Sequence, residues 1–259
     1  MSAYVLLNLL AAVLLVCGAA YFLRRDGLSV YRIILYTIAM TALFFIGSRL
    51  LYGLLYYDKI ILNPMKLVEM RLVNFSLYGG LMACGILWWW LMRHSALDFW
   101  RVTDRLVPIL GISIAISKLG CFINSCCYGI PTRLPWGMIF ERADQTPVTR
   151  LFGAGTFTRM ISGAPLVHRH PTQLYEGFFA LLALCVSLWL LRNGAKKGIS
   201  TTFFILLFSG GRLFSFFLRD FPNASVLSSF IRGPVIYGVL IISFSFVYMH
   251  QMQSQKPHE

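Results

Sequence analysis

The chain has 259 residues, of which 58% are hydrophobic and 13% are charged, with a mean hydropathy of +0.69. Soluble globular domains carry roughly 25% charged residues, so this composition excludes a soluble domain and indicates a protein surrounded mostly by lipid. The formal net charge is +13, but Lys and Arg stand in short clusters between apolar runs. Such clusters are typical of the ends of membrane spans, so we expect no nucleic acid partner.

Apolar runs long enough to cross a hydrocarbon core about 30 Å thick, which takes roughly 20 helical residues, recur along the chain. We predict an all-α, polytopic membrane fold of about seven transmembrane helices, with residues 1–259 forming a single integral membrane domain. The predicted spans are Ala3–Leu23, Val30–Tyr56, Phe75–Leu91, Leu106–Ile123, Thr172–Leu191, Ile199–Leu218 and Gly233–Met249. The start of the chain lacks the positive charge of a cleavable signal peptide, so we expect the first span to be retained.

One long segment, Gly129–Pro171, interrupts this pattern. It contains five prolines, five arginines and scattered glycines, which excludes a membrane span. Its length is typical of a functional loop or a small head, and we predict an extracytoplasmic loop over residues 129–171 between the fourth and fifth spans.

Positive charge in the short loops predicts the orientation, because cytoplasmic loops carry an excess of Lys and Arg. Nine cations lie in the loops that we assign to the cytoplasm, namely Arg24, Arg25, Arg93, Arg101, Arg105, Arg192, Lys196, Lys197 and Lys256. Five lie in the opposite short loops, namely Lys59, Lys66, Arg71, Arg219 and Arg232. We therefore place the N-terminus outside and the C-terminus in the cytoplasm.

Three cations stand inside predicted spans, where a charge at mid-bilayer costs roughly 2.5–3.5 kcal/mol on insertion scales. They are Arg49, Lys118 and Arg212. Glu176 lies at the start of the fifth predicted span, close to the same face of the membrane. Each cation could reach the interface or pair with Glu176. Several cations against one acid instead favour a cavity that binds an anionic headgroup, and a phosphodiester suits the forked geometry of Arg.

Two glycine pairs accompany these charges, Gly79-Gly80 and Gly210-Gly211. Glycine lets the backbone approach a ligand closely, and it equally permits close packing of two helices. The sequence leaves both interpretations open.

Tyr78, His168 and His170 are candidates for proton transfer or phosphate contact. Tyr78 precedes the first glycine pair, where it could also serve as an ordinary interfacial tyrosine. The two histidines stand in H-R-H-P-T-Q-L-Y-E, where they could be an exposed loop pair or act at the mouth of a site.

Cys121, Cys126 and Cys127 form a cluster in the sequence. Their spacing matches no usual zinc pattern, no histidine is near in sequence, and we expect no metal ligand. Adjacent cysteines such as Cys126 and Cys127 do not form a relaxed disulfide, although Cys121 could bridge to either of them. Simple packing, a disulfide and a catalytic or metal role all remain open.

The motifs taken together resemble those of prolipoprotein diacylglyceryl transferases, the bacterial family that lipidates lipoprotein precursors. The segment R-H-P-T-Q-L-Y-E differs from the family's R-H-P-S-Q-L-Y-E at one position, and its combination with L-P-W-G is highly specific. The resembling segments, in family order over most of the chain, are Gly47–Tyr57, Phe75–Leu81, Asp104–Pro108, Ile116–Gly137, Arg169–Glu176 and Gly211-Arg212 with Arg219.

The resemblance implies a seven-span fold and an enzyme that transfers diacylglyceryl from phosphatidylglycerol to the lipobox cysteine thiol of prolipoproteins. The reaction forms a thioether and releases glycerol phosphate, with no metal or organic cofactor. Phosphatidylglycerol, prolipoprotein precursors and the lipid bilayer are the implied partners. The implied location is the bacterial plasma (inner) membrane.

Site residues follow from the resemblance together with the charge pattern. Arg212 falls on a family arginine expected to hold the phosphate, and we expect Tyr78, Arg212 and Lys118 to be catalytic. The expected substrate-binding residues are Tyr4, Arg49, Gly79, Gly80, Cys121, Asn124, Gly129, Arg169, His170, Gln173, Tyr175, Glu176 and Arg219.

The chain departs from the family pattern at several of these positions. Tyr78 stands for the family histidine and would need an activating cation to act as a base, since its unperturbed pKa is near 10. Lys118 keeps the charge of the family arginine without its fork. The other departures are Cys121 for asparagine, Cys126 for glutamate, Phe208 for tyrosine and Phe216 for glutamate.

Three alternatives to this transferase follow from the departures. A related lipid-linked transferase would act on another acceptor, and a non-catalytic homologue would bind phospholipid or lipoprotein without turnover. A thiol-redox membrane protein would use the cysteine cluster. Product mass, phosphate release and thiol labelling separate these alternatives.

Overall fold

The structure is a computed structural model that describes residues 3–55, 77–95, 97–140, 158–161, 164–220 and 234–253. Seven helices and one β-hairpin lie within these ranges. The elements are α1 (Ala3–Arg25), α2 (Val30–Leu55), α3 (Leu77–Arg93), α4 (Phe99–Ile123), β1 (Thr158–Ile161), β2 (Ala164–Val167), α5 (Thr172–Arg192), α6 (Ile199–Leu218) and α7 (Ile236–Gln253).

The predicted all-α, polytopic membrane fold is confirmed. Five of the described helices, α1, α2, α4, α5 and α6, are long and apolar enough to cross a membrane, and α7 contains a shorter apolar stretch. Their surfaces are those of proteins in lipid, since large apolar side chains such as Leu6, Ile38 and Trp189 are exposed while Ser200 and Thr202 are buried. Predicted and observed boundaries agree within a few residues, except at the start of α4.

Two compact units divide the chain, one formed by Ala19–Val102 and the other by Met1–Gly18 together with Thr103–Glu259. The single membrane domain over residues 1–259 stays a prediction. The first unit contains α2 and α3, which pack against each other, and the second contains α5, α6 and α7, which pack in sequence order.

Glycines allow the close packing of α2 on α3. A Cβ atom at Gly47 would lie 2.5 Å from the carbonyl oxygen of Gly79, and a Cβ atom at Gly80 would lie 2.5 Å from Cδ2 of Phe44. Both distances are too short for a side chain, so only glycine fits at these contacts. Of the two interpretations of Gly79-Gly80, the structure therefore supports close helix packing.

The core of the larger unit lies among α4, α5 and α6, where Val107, Ala183 and Phe204 are buried together. The start of α1 packs on α4 through polar contacts. The Ser117 hydroxyl donates to Oδ1 of Asn8 at 2.7 Å, and the Asn8 amide donates to the Tyr4 carbonyl at 2.8 Å. Each of these polar groups thus finds a partner inside the helix bundle, as a low-dielectric setting requires.

Helix α4 begins at Phe99, seven residues before the predicted span. Its first two turns contain several charged residues, so hydropathy alone does not assign them to a span. Asp104 in these turns is buried and binds the start of α6. Its carboxylate accepts hydrogen bonds from the Gly198 amide at 2.6 Å and from the Thr201 amide at 2.8 Å and hydroxyl at 2.6 Å. This carboxylate acts as an N-cap supplied by another helix.

The long loop contains an antiparallel hairpin that the sequence analysis did not predict. Strands β1 and β2 pair Thr158 with Val167 and Ile161 with Ala164. The extracytoplasmic side of this loop is not tested by the structure and stays a prediction.

Candidate active site

Backbone hydrogen bonds join the segment after α4, the segment before α5 and the end of α6. The Gly129 amide donates to the His170 carbonyl at 2.8 Å, and the Ile130 amide donates to the Leu218 carbonyl at 2.9 Å. Met138 and Arg169 exchange both of their backbone hydrogen bonds, at 2.9 and 2.8 Å. The L-P-W-G and R-H-P-T-Q-L-Y-E segments, whose combination the sequence analysis singled out, therefore lie side by side.

Gly129 stands at the closest approach of these segments. A Cβ atom there would lie 2.7 Å from the His170 Cβ and 2.9 Å from Cγ2 of Thr172. Any larger residue at this position would push the segment after α4 away from the start of α5, so the position requires glycine.

Arg169 is almost completely buried and pairs with Asp220. Its Nη1 lies 2.6 Å from Oδ2 of Asp220 and donates a longer bond of 3.4 Å to the Gly129 carbonyl. Its guanidinium also lies over the Tyr128 ring, 5.0 Å from the centroid. These contacts favour a structural role for Arg169 in holding the loop, whereas the sequence predicts substrate binding.

A chain of side-chain hydrogen bonds connects the two motifs. Trp136 Nε1 donates to the Tyr175 hydroxyl at 2.8 Å, and that hydroxyl lies 3.1 Å from Nδ1 of His170. Burial lowers the pKa of His170 below its ordinary value of 6.5. His170 is thus a buried, neutral side chain rather than half of an exposed pair, while His168 contacts the Gly137 carbonyl through Nδ1 at 3.0 Å.

Glu176 is the centre of the charge cluster. This carboxylate, near the start of α5, is buried and forms ion pairs with Lys118 of α4 and Arg212 of α6 through Oε2. Arg219, directly after α6, reaches Oε1 with Nη1 at 3.4 Å. Three cations from three parts of the chain therefore converge on this one acid.

Arg212 is held from a second side by α7. Its Nε donates to the Tyr237 hydroxyl at 2.8 Å, and its guanidinium lies 5.6 Å from the centroid of the same ring. Tyr237 and the other three partners named here, Asp220, Tyr128 and Trp136, were not among the predicted site residues. Tyr128 and Trp136 carried a signal in the sequence, because both stand in the resembling segment Ile116–Gly137.

The turn after α4 brings its three cysteines together. The Cys121, Cys126 and Cys127 sulfur atoms all lie within 4.8 Å of one another. Hydrogen bonds from the Cys121 and Cys126 thiols, with the charges of Arg219 and Lys118 nearby, hold the pKa of Cys127 well below its ordinary range. The mutual distances of the three sulfur atoms make them a group that could hold a soft metal ion.

Helix α5 fastens this turn to the charge cluster. Gln173 Nε2 donates to the Cys126 carbonyl at 2.7 Å, and the Thr172 hydroxyl donates to the Cys127 carbonyl at 2.7 Å. Asn124 contacts the Cys126 side chain, and Tyr4 of α1 interacts electrostatically with all three thiols. Gln173, Asn124 and Tyr4, which were predicted as site residues, and Thr172, which was not, thus lie around the cysteines.

The remaining predicted residues Arg49, Tyr78, Gly79 and Gly80 belong to the unit Ala19–Val102. The Tyr78 side chain lies outside the described residues. Their expected roles in catalysis and substrate binding stay predictions.

The fold and the charge cluster define the class of this molecule, which is a polytopic helical membrane protein with ionised groups buried among its spans. Its sequence matches the family model of prolipoprotein diacylglyceryl transferase over residues 1–251. The chain belongs to that family. The family and the transferase class predicted from the sequence are therefore confirmed.

Individual relatives agree with this assignment. The chain is 29% identical over 186 residues to a phosphatidylglycerol–prolipoprotein diacylglyceryl transferase of Clostridium tetani, covering 71% of this chain and 68% of the relative. Proteins of the same name from Polynucleobacter asymbioticus and Pseudomonas paraeruginosa are each 30% identical, over 73% and 70% of this chain. The matched region spans 60% of the length of each of these two relatives.

Proposed function

We propose that this chain transfers a diacylglyceryl group from phosphatidylglycerol to the thiol of a prolipoprotein cysteine. The observation that carries the proposal is the convergence of Lys118, Arg212 and Arg219 on the single buried carboxylate of Glu176. The relatives' names state the same donor and acceptor.

The convergence of three cations suits an anionic phospholipid headgroup. Cations among membrane spans are costly, so a site that gathers three of them gains by binding an anion there. Arg212 presents a fork that matches two phosphate oxygens, and Tyr237 and Glu176 hold that fork in place before the lipid arrives. Donors that are already oriented lose little entropy when the ligand binds and are effective in stabilising developing charge.

In the proposed reaction the cysteine sulfur attacks the glycerol carbon that bears the phosphate. A C–S thioether bond forms, the C–O bond to the phosphate breaks, and the electron pair of that bond leaves with glycerol phosphate. Negative charge therefore grows on the departing phosphate oxygen in the transition state. The cations of the cluster stabilise this charge, and we expect Arg212 to contribute most because it can bind bidentately.

A base must accept the thiol proton of the acceptor. His170 is one candidate, because its lowered pKa keeps the imidazole neutral and able to take a proton near pH 7. Tyr78 is the other, on the strength of its position in F-S-L-Y-G-G. Separate variants of the two residues decide between them, since only loss of the base shifts the acidic limb of the pH–rate profile.

We also propose that the protein resides in the bacterial plasma (inner) membrane with the N-terminus outside, the C-terminus in the cytoplasm and the 129–171 loop outside. The distribution of Lys and Arg over the short loops supports this orientation. Labelling of single cysteines introduced at Arg133 and at Lys196 with an impermeant maleimide tests it in intact spheroplasts. Labelling at Lys196 in place of Arg133 would reverse the assigned orientation.

The transferase is tested with purified protein, phosphatidylglycerol and a lipobox peptide, with the peptide mass read for an added diacylglyceryl group. We expect the wild type to give this product and Arg212→Ala to lower the rate at least about hundredfold, as removal of one charge-stabilising donor does in other enzymes. Arg192→Ala, which removes an exposed arginine at the opposite end of α5, is the matched control and should leave the rate unchanged. Tyr78→Phe and His170→Asn run in the same series.

The same assay separates the alternatives. Transfer to a different acceptor would appear as glycerol phosphate release without modification of the peptide. Binding of phosphatidylglycerol with no release would identify a non-catalytic homologue. Either result would overturn the proposed reaction while leaving the anion-binding role of the cluster intact.

A further inference from the structure

The three thiols of Cys121, Cys126 and Cys127 stand near the charge cluster, and the reaction proposed above assigns no step to them. We propose that they bind one thiophilic d¹⁰ metal ion, of the class of Zn²⁺ or Cu⁺, as a three-thiolate site. The proposal rests on the convergence of the thiols, on the local backbone that produces it and on the surrounding charge.

The first argument is distance. Metal–thiolate bonds of about 2.3 Å in a tetrahedral or trigonal site place the sulfur atoms roughly 3.8–4.0 Å apart. The three sulfurs lie within 4.8 Å of one another, so small side-chain rotations are enough to close the site. Among the residues that the structure describes, this group consists of thiols alone, and thiolates select soft ions over Mg²⁺ or Ca²⁺.

The second argument is the backbone, which explains why a spacing unlike that of zinc fingers still converges. Helix α4 ends in a Schellman cap, in which the Cys126 amide donates to the Cys121 carbonyl at 3.1 Å and the Ser125 amide to the Phe122 carbonyl at 3.0 Å. Ser125 takes the left-handed conformation that this cap requires, with φ of 49°. The cap folds Cys126 back over Cys121.

The next residue completes the cluster. Cys127 is also left-handed, with φ of 64°, a conformation that L-residues rarely adopt and that its neighbours must hold in place. The hydrogen bonds from Gln173 to the Cys126 carbonyl and from Thr172 to the Cys127 carbonyl supply this restraint. Both bonds are accepted by the main chain and occupy no sulfur atom, and the Cys126 thiol makes only a long contact of 3.5 Å with the Cys121 carbonyl, which a metal ion would replace.

The third argument is charge. Three thiolates with a divalent ion carry a net charge of −1, and with a monovalent ion −2. Lys118 acts electrostatically on Cys121, and both Lys118 and Arg219 act on Cys127, so neighbouring cations balance the loaded site. A metal complex of negative net charge is therefore better suited to this position than a bare cation would be.

The test uses the full chain in detergent with phosphatidylglycerol, prepared under reducing conditions. Titration with Co²⁺, a spectroscopic substitute for Zn²⁺, should give sulfur-to-cobalt charge-transfer absorption that saturates at one ion per chain, and Zn²⁺ should displace it. A parallel titration with Cu⁺ against a competing chelator compares the two ions. The tighter of the two identifies the metal, and either supports the proposal.

Variants locate the ligands. Replacing a group that only orients metal ligands typically lowers metal affinity by about 10- to 100-fold, and replacing a ligand should cost more. We therefore expect Cys121→Ser, Cys126→Ser and Cys127→Ser each to lower metal affinity by at least about 100-fold. Cys17→Ser and Cys185→Ser remove exposed cysteines and serve as matched controls with unchanged affinity. Helical circular dichroism confirms that each variant is folded.

Three results would overturn the proposal. One is the absence of thiolate charge-transfer absorption in the reduced, folded protein. Another is metal affinity that survives all three ligand variants. The third is a Cys121 disulfide to Cys126 or Cys127 that reforms quantitatively after reduction even with excess Zn²⁺, which would make the cluster a redox site.

Discussion

Removal of the Glu176 charge should weaken the fold and strengthen anion binding at the same time. In Glu176→Gln the three cations that converge on the carboxylate lose their common partner while the size of the side chain is kept. Breaking a buried ion pair by removing one partner costs about 3–5 kcal/mol. Because Lys118, Arg212 and Arg219 all lose the same partner, we expect a loss of stability near the upper value.

The effect on lipid follows from the same charges. At an effective dielectric constant of about 20 and a separation of about 6 Å, one unit charge changes the energy of a bound phosphate by about 3 kcal/mol, or about hundredfold in affinity. Glu176 repels a phosphate bound among its cations, so its neutralisation should tighten binding of short-chain phosphatidylglycerol by at least about tenfold after screening. Added lipid should also restore much of the lost thermal stability, because it replaces the missing negative charge.

The assay measures the thermal midpoint and the affinity for short-chain phosphatidylglycerol in detergent, for the wild type and Glu176→Gln. Asp104→Asn is the matched control, because Asp104 is another buried carboxylate whose partners are the Gly198 and Thr201 groups at the start of α6. It should lower stability and leave lipid affinity unchanged. A folded Glu176→Gln protein that binds the lipid no more tightly than the wild type would refute the anion-site argument.

Three further predictions concern the structure around the site. Gly129→Ala should lower stability by about 1–3 kcal/mol because its Cβ would collide with His170 and Thr172, whereas Gly85→Ala, in open space on α3, should not; thermal midpoints of both check this. Asp104→Ala should cost about 2–4 kcal/mol by leaving buried amides of α6 unpaired, read from denaturant unfolding, and a loss under 1 kcal/mol would contradict it. Because burial lowers the pKa of His170, its contribution to stability is present above pH 6.5 and is lost as the pH falls below that value. In His170→Asn the thermal midpoint should therefore change less between about pH 7.5 and pH 5.5 than it does in the wild type.

The membrane architecture could be predicted from sequence wherever hydropathy alone decides the boundaries. Helix α6 begins and ends where predicted, at Ile199 and Leu218, since Lys197-Gly198 and Arg219-Asp220 flank a stretch whose apolar residues outweigh its few polar ones. The start of α4 could not be found this way, because its polar first turns serve a contact with α6 that lies far away in sequence. The β-hairpin was not predicted either, because Thr158–Val167 has no regular alternation of polar and apolar residues.

Several residues of the candidate site could be predicted from the sequence, but the side-chain contacts between them could not. The cost of charges in lipid identified Lys118, Arg212 and Glu176, and the structure brings them together. The roles of Arg169 and His170 were less accessible, because their motif indicates proximity to the site without revealing that Asp220 and Tyr175 hold them. The convergence of the cysteines was the hardest feature to predict. Their spacing in the sequence does not indicate proximity, because the helix cap folds the chain back between Cys121 and Cys126.

The main-chain hydrogen bonds around the turn after α4 have an evolutionary consequence. Gln173 and Thr172 bind the carbonyl groups of Cys126 and Cys127, and Gly129 binds the His170 carbonyl, so the turn keeps its shape whatever side chains it carries. Substitutions at 121, 126 and 127 can then accumulate without loss of the scaffold that presents Lys118 and Glu176. A lineage can in this way change the chemistry of the three thiols while keeping the backbone that carries the buried charge cluster.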